Sequence, residues 1–198
     1  MKPNFYYEVP DNYEIVKVID AKNVKTMLLM NFVAILIAIP LISFFVKIVF
    51  RSIFNENLVL SEIIPYYFSF LIILILYLIM HELTHGIFYK IFTHEKLTFG
   101  LTLTVAYCGV PKIYVKRIPA LITTLAPFVV FSIVLGVPLF FEIKPLIFLL
   151  ISLLFSIHVS GCTGDLWVAL ILIFKYRGKK LLVNDTGPKQ SFYVEKQI

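Results

Sequence analysis

Four stretches of this chain stay apolar without interruption for the roughly 20 residues that a helix needs to cross about 30 Å of hydrocarbon. They lack the charged stripe that an amphipathic surface helix would show at every third or fourth position. The spans run from Met27 to Val46, Ile64 to Tyr89, Pro119 to Phe141 and Pro145 to Phe174. Pro65 and Pro119 suit the first turn of a helix, where a missing N–H costs nothing. Pro40, Pro127 and Pro138 fall inside spans and predict kinks. The connection after the second span has a different period: Leu97, Phe99, Leu101, Leu103, Val105 and Tyr107 alternate with smaller or polar residues, as in a strand. Gly109-Val110-Pro111 supplies a turn, and Ile113-Tyr114-Val115 can return beside that strand. The predicted fold class is therefore an all-α membrane protein with about four transmembrane helices and a short β-hairpin between the second and third.

Composition agrees. The 198 residues are 60% hydrophobic and only 15% charged, with a mean hydropathy of +0.91, too little charge for a soluble surface. The expected organisation is one domain over residues 1–198: an N-terminal segment 1–26, a membrane domain 27–174 and a tail 175–198. Cys108 and Cys162 are too few for a disulfide framework and match no paired metal spacing; they read as a loop thiol and a small packing residue. No apolar stretch directly follows a basic start, so the first span, rather than a cleaved signal, is expected to direct insertion.

Charge sets the direction. Of the 18 Lys and Arg residues, only Lys47, Arg51 and Lys144 fall in the connections after the first and third spans; the other fifteen lie in 1–26, in the connection after the second span and in the tail. The positive-inside rule then places both termini and the hairpin in the cytoplasm. The net charge of +6 reflects that topology and contact with anionic lipid, and is no argument for nucleic acid.

The second span ends in His81-Glu82-Leu83-Thr84-His85. Two imidazoles at i and i+4 share one helix face and suit a single Zn²⁺ ion, with the intervening carboxylate as general base. Ionisable side chains inside an apolar span are expensive and point to function; the competing reading is a polar cluster that hydrogen-bonds helices together. Catalytic zinc usually takes three protein ligands. Asp165, the carboxylate embedded in the fourth span, comes ten residues before Lys175, while His81 and His85 come nine and five before Lys90. Both spans run in the same direction, so all three groups lie at similar depth. Asp165 is the chosen third ligand. His158 is the alternative, about 10 Å further along the span at ordinary helical rise, although Gly161 and Gly164 could break the helix and alter that offset. His94 reads as solvated, and Glu142 lies too far toward the opposite side.

With Gly86, the His81–His85 motif closing an apolar helix resembles the putative zincin peptidases, bacterial integral-membrane proteins. So do Ala126-Pro127 in the third span, Gly164-Asp165 in the fourth and Val183-Asn184-Asp185 in the tail. The resemblance covers roughly residues 60–195 and implies a metallopeptidase in a bacterial cytoplasmic membrane. A more distant similarity to site-2 proteases implies zinc held by His81, His85 and Asp165, with Glu82 as base. The chain departs from that pattern: it carries Gly164-Asp165-Leu166 in place of Leu-Asp-Gly, has no clear counterpart of the asparagine-containing motif, and has no peptide-binding accessory domain.

Two functions from different classes follow. In one, the chain is a membrane-embedded zinc metallopeptidase that cleaves a membrane-protein or membrane-proximal peptide, with a zinc-activated water and Glu82 as base. In the other, it is a non-enzymatic metal-binding or ion-handling protein, or a partner subunit of a larger assembly, since polar residues in spans also mark ion pathways.

Overall fold

The computed structural model describes residues 3–55, 60–101 and 106–196. Among the described residues there are five α-helices: α1 (Val24–Asn55), α2 (Leu60–Thr93), α3 (Arg117–Gly136), α4 (Pro145–Gly161) and α5 (Thr163–Leu170). The Asn23 side chain caps α1 by accepting from the Lys25 and Thr26 N–H groups. A 3₁₀ turn at Val137–Phe140 ends the third span, so Pro138 terminates a helix instead of kinking one. A π turn, Ile171–Lys175, ends the fourth. Among the described residues four segments are long and apolar enough to cross a membrane: Val24–Ile53, Ser61–Thr93, Arg117–Phe140 and Pro145–Lys175. These match the expected spans to within a few residues, except that the first extends seven residues further. In each of the first two, only 6% of the most apolar window is buried. Their exposed Ile, Leu and Phe side chains need an apolar solvent.

The all-α expectation is corrected by seven strands among the described residues. Five form one sheet in the order β1-β5-β6-β7-β2, from β1 (Phe5–Tyr6), β2 (Tyr13–Asp20), β5 (Tyr114–Lys116), β6 (Leu181–Asp185) and β7 (Lys189–Glu195). The two charged ends of the chain are thus strands and not solvated tails. In the C-terminal pair, Leu181, Leu182 and Val183 of β6 and Phe192 and Val194 of β7 are buried, while the backbone of β2 pairs with β7 across the chain. A separate antiparallel pair joins β3 (Thr98–Leu101) to β4 (Ala106–Gly109). The single long strand expected over 97–107 is therefore folded on itself; Leu103 and Val105 lie outside the described residues. Its expected partner at Ile113–Val115 contributes β5 and pairs with β1 and β6. Backbone proximity explains the change: a Cβ on Gly109 would lie 2.4 Å from the Gly187 nitrogen, so that end of β4 is packed against the β6–β7 turn. Cys108, expected in a loop, is a buried residue of β4.

The chain divides into two compact units. One comprises Met30–Met80 and Phe128–Thr163. Phe45 packs edge-on against Phe148 and Phe155 there. Ser152, Ser156 and Ser160 follow one face of α4 and donate to carbonyls three or four residues back, satisfying their hydroxyls without water. The other unit comprises Met1–Leu29, His81–Pro127 and Gly164–Ile198. It holds both sheets, the end of α2, the start of α3 and α5, around a core that includes Tyr89, Ile113, Leu172 and Phe192.

Asp185 fastens that second unit. Its buried carboxylate accepts from the Tyr89 hydroxyl at 2.6 Å, the Gly187 N–H at 2.8 Å and the Gln190 amide at 3.0 Å, and its carbonyl accepts from Val110 N–H at 2.8 Å. The end of α2, the end of β4 and the β6–β7 turn are tied together through this residue. Burial outweighs the three donors and raises the carboxyl from 3.8 to about 6. The folded chain therefore keeps a proton that the unfolded chain has released, so this residue's contribution to stability falls as pH rises from about 4 to about 6 and is flat above. Asp185→Asn is expected to remove that slope, worth up to about 3 kcal/mol, in denaturant titrations of wild type and variant across this range in detergent micelles.

Candidate metal centre

The His81–His85 segment lies in the last three turns of α2, and helical spacing brings the two imidazoles within 5.2 Å, centroid to centroid, at an interplanar angle of 75°. Gly86 behind them leaves room for the Phe99 ring of β3, which a Cβ would meet at 2.8 Å. Asp165 stands in the first turn of α5, a new helix that starts after Cys162 leaves helical geometry with ψ of 6°. The break that Gly161 and Gly164 suggested therefore occurs between them. A carboxylate suits the first turn, where unpaired N–H groups carry partial positive charge. The Asp165 carboxylate faces both imidazoles, with Oδ2 3.2 Å from His81 Nε2 and Oδ1 3.5 Å from His85 Nε2.

The opposite side of His85 sets its proton. Nδ1 lies 2.9 Å from the Thr123 carbonyl oxygen, which can only accept, so Nδ1 carries the hydrogen. That carbonyl is available for a reason written in the chain. In a regular helix it would bond the N–H of residue 127, but residue 127 is proline and has none. Pro127, expected from the sequence only to kink α3, thereby frees an acceptor that orients a ring on α2. Arg117 braces the same unit by donating to the Ile173 and Tyr176 carbonyls at the end of the fourth span.

With Nδ1–H committed to Thr123, a neutral His85 turns the lone pair of Nε2 toward a carboxylate oxygen. Two electron-rich atoms at that separation repel unless a proton or a metal cation lies between them. Two ligands of one tetrahedral zinc lie about 3.3 Å apart at ordinary Zn–N and Zn–O lengths, close to the distances seen here. One donor atom from each of His81, His85 and Asp165 lies within 4.8 Å of the others. The donor set and its polarity fit a divalent metal.

Glu82, on the same helix, is half-buried beside His81, His85 and Asp165, with its carboxylate within hydrogen-bond reach of the Cys108 backbone N–H. The Cys108 thiol itself is pushed up to about 12, chiefly by burial and then by the charges of Glu82 and Asp185, which favours its protonated form. His158 has other partners. In its own unit it is fully buried, its Nε2–H faces the Ser132 hydroxyl and the Phe128 carbonyl, and its Nδ1 accepts from Tyr77 at 2.9 Å. Both ring nitrogens of His158 are thus hydrogen-bonded.

The model of the family described as Putative zincin peptidase matches residues 73–179, more than half of the chain. The chain belongs to that family. No curated protein and no solved structure matches it. The matched region of this Putative zincin peptidase member includes His81, Glu82, His85, Thr123, Pro127 and Asp165. It stops before Asp185, which ties the end of α2 to the tail hairpin. The Thr123 carbonyl, the Cys108 amide and Asp185 were not identified as part of the site by ligand chemistry, because two of them act through backbone atoms and the third lies twenty residues beyond Asp165.

Purified protein is expected to bind about one Zn²⁺ per chain, and His81→Ala with His85→Ala should abolish this. Pro127→Ala restores an N–H that competes for the Thr123 carbonyl. It should keep the fold but weaken zinc by about 10- to 100-fold, the usual effect of losing a partner behind a metal ligand. Competition with a chromophoric chelator measures both, and unchanged affinity in Pro127→Ala would remove the role given to the freed carbonyl.

Proposed function

We propose that this chain is a membrane-embedded zinc metallopeptidase in which His81, His85 and Asp165 hold the metal and Glu82 is the general base. The observation that carries the reading is the convergence of two imidazoles and a carboxylate, with His85 polarised from behind by the Thr123 carbonyl. Membership of a family described as peptidases supports it. Zinc bound there would polarise the scissile carbonyl and bring the pKa of a water to about 7. Glu82 takes the proton from the attacking water and passes it to the leaving nitrogen, so that the peptide C–N bond breaks to give a carboxylate and an amine. The Cys108 N–H steadies the Glu82 carboxylate during that transfer. Among the described residues β4 pairs only with β3, and its other edge, beside Glu82, can accept an extended segment of a membrane-protein or membrane-proximal substrate by strand addition. That mode exposes the scissile bond, which a helical substrate would hide.

The same proposal places residues 1–26, the connection before α3 and the tail in the cytoplasm. Strands from all three segments share one sheet, which supports a common side, and the distribution of Lys and Arg supports the inner one. Externally added thiol reagent should label Glu142→Cys but not Lys179→Cys in intact cells, and labelling of Lys179→Cys alone would invert the orientation.

Glu82→Gln is expected to keep zinc and fold while losing proteolysis by about 10² to 10⁴-fold, because the amide cannot accept the proton. The assay uses a membrane substrate identified by comparing the proteomes of cells with wild-type and Glu82→Gln protein. Cleavage at the wild-type rate by the variant would leave the chain a metal-binding or ion-handling membrane protein.

A further inference from the structure

The end of the fourth span carries a feature that the metal centre does not use. Trp167, Leu170, Ile171, Phe174 and Lys175 line a shallow groove. Their spacing of three, one, three and one residues puts them along one face of a continuous helical path, and the π turn at Ile171–Lys175 widens that path locally. Trp167, Leu170 and Phe174 are 37%, 53% and 66% exposed, an apolar surface unsuited to water. Across it reaches Lys17 of β2, its ammonium 5.6 Å from the centre of the Trp167 ring. β2 is an edge strand of the five-stranded sheet and also exposes Ile15, Val16 and Val18, and α1 enters its span four residues after β2 ends. An apolar strand edge, an exposed tryptophan and lysines where two spans meet the sheet are the marks of a membrane–water interface.

Charge narrows the ligand. Among the described residues neither Lys17 nor Lys175 forms an ion pair with a carboxylate. We propose that this groove binds one anionic phospholipid, its phosphodiester between the Lys17 and Lys175 ammonium groups and an acyl chain along Trp167, Leu170 and Phe174. Burial and the neighbouring positive charge of Lys175 lower the affinity of Lys17 for its proton, and a phosphate between the two ammoniums relieves that repulsion. The groove shape selects a lipid over a soluble phosphate: the lining is apolar except at the lysine end, as a headgroup with an attached chain requires. The inference is independent of the peptidase reading, since no residue in it touches the candidate metal centre.

Trp167 is the sole tryptophan of the chain, so its fluorescence reports this groove alone. The whole protein is reconstituted in phosphatidylcholine vesicles containing equal mole fractions of either brominated phosphatidylglycerol or brominated phosphatidylcholine. Quenching of Trp167 should favour the anionic lipid, with each lysine contributing about a fivefold preference. Lys17→Gln with Lys175→Gln should abolish the preference, and Lys112→Gln, on the exposed loop before β5, should leave it intact. High salt should reduce it in wild type. Equal quenching of wild type by the two lipids overturns the proposal without recourse to any variant. So does a loss in Lys112→Gln as large as in the double variant, which would mean diffuse surface attraction only.

Discussion

A carboxylate and an imidazole lone pair can face each other away from water only with a proton or a metal cation between them, and the unit that holds both sheets is organised around that constraint. Asp165 faces the Nε2 atoms of His81 and His85, while the Thr123 carbonyl holds the proton of His85 on the far nitrogen. Each further contact acts by restricting how those groups could escape: the end of α2 is tied by Tyr89 to Asp185, and the end of the fourth span by its carbonyls to Arg117. Rigid support matters because a ligand set assembled from two helices keeps its geometry only as well as those helices are held.

Polar groups at membrane depth are accounted for in two different ways. Those of the serine row in α4 and those around His158 are closed among themselves: hydroxyls donate to carbonyls of the preceding turn, and both ring nitrogens have partners. These contacts offset the cost of burial. The candidate metal centre uses a different device: Pro127 exports an acceptor from its own helix to His85 on a neighbouring one, while both imidazoles turn Nε2 to the Asp165 carboxylate. That convergence of two imidazoles and a carboxylate, rather than the mere presence of histidine in a span, marks His85.

The sheet ties the ends of the chain into the same unit. Strands from near both ends of the chain pair with each other and with the segment before α3, so a charged periphery becomes a folded platform. β4, whose Cys108 belongs to the core of this unit, has one amide at Glu82 and its end packed against the Gly187 turn. A strand so placed links the base of the candidate site to the tail of the chain, more than seventy residues later.

Much was legible before any coordinates. Four spans follow from continuous hydrophobicity, which depends only on composition over about 20 residues, and they appear within a few residues of the expected bounds apart from the longer end of α1. The histidine pair follows from helical spacing, and counting residues to flanking lysines pointed to Asp165, whose carboxylate lies beside both imidazoles. What sequence could not decide was every relation made through the backbone across distance. The alternation over 97–107 read as one strand because a fold-back is set by its partners and not by period, and the charged ends read as tails because strand pairing pays no heed to local charge. Pro127 announced a kink, which is the local consequence of a missing N–H; that the orphaned Thr123 carbonyl would meet His85 depends on the packing of α3 against α2. Local chemistry is written residue by residue, whereas the destination of a freed hydrogen bond is settled only when the chain is folded.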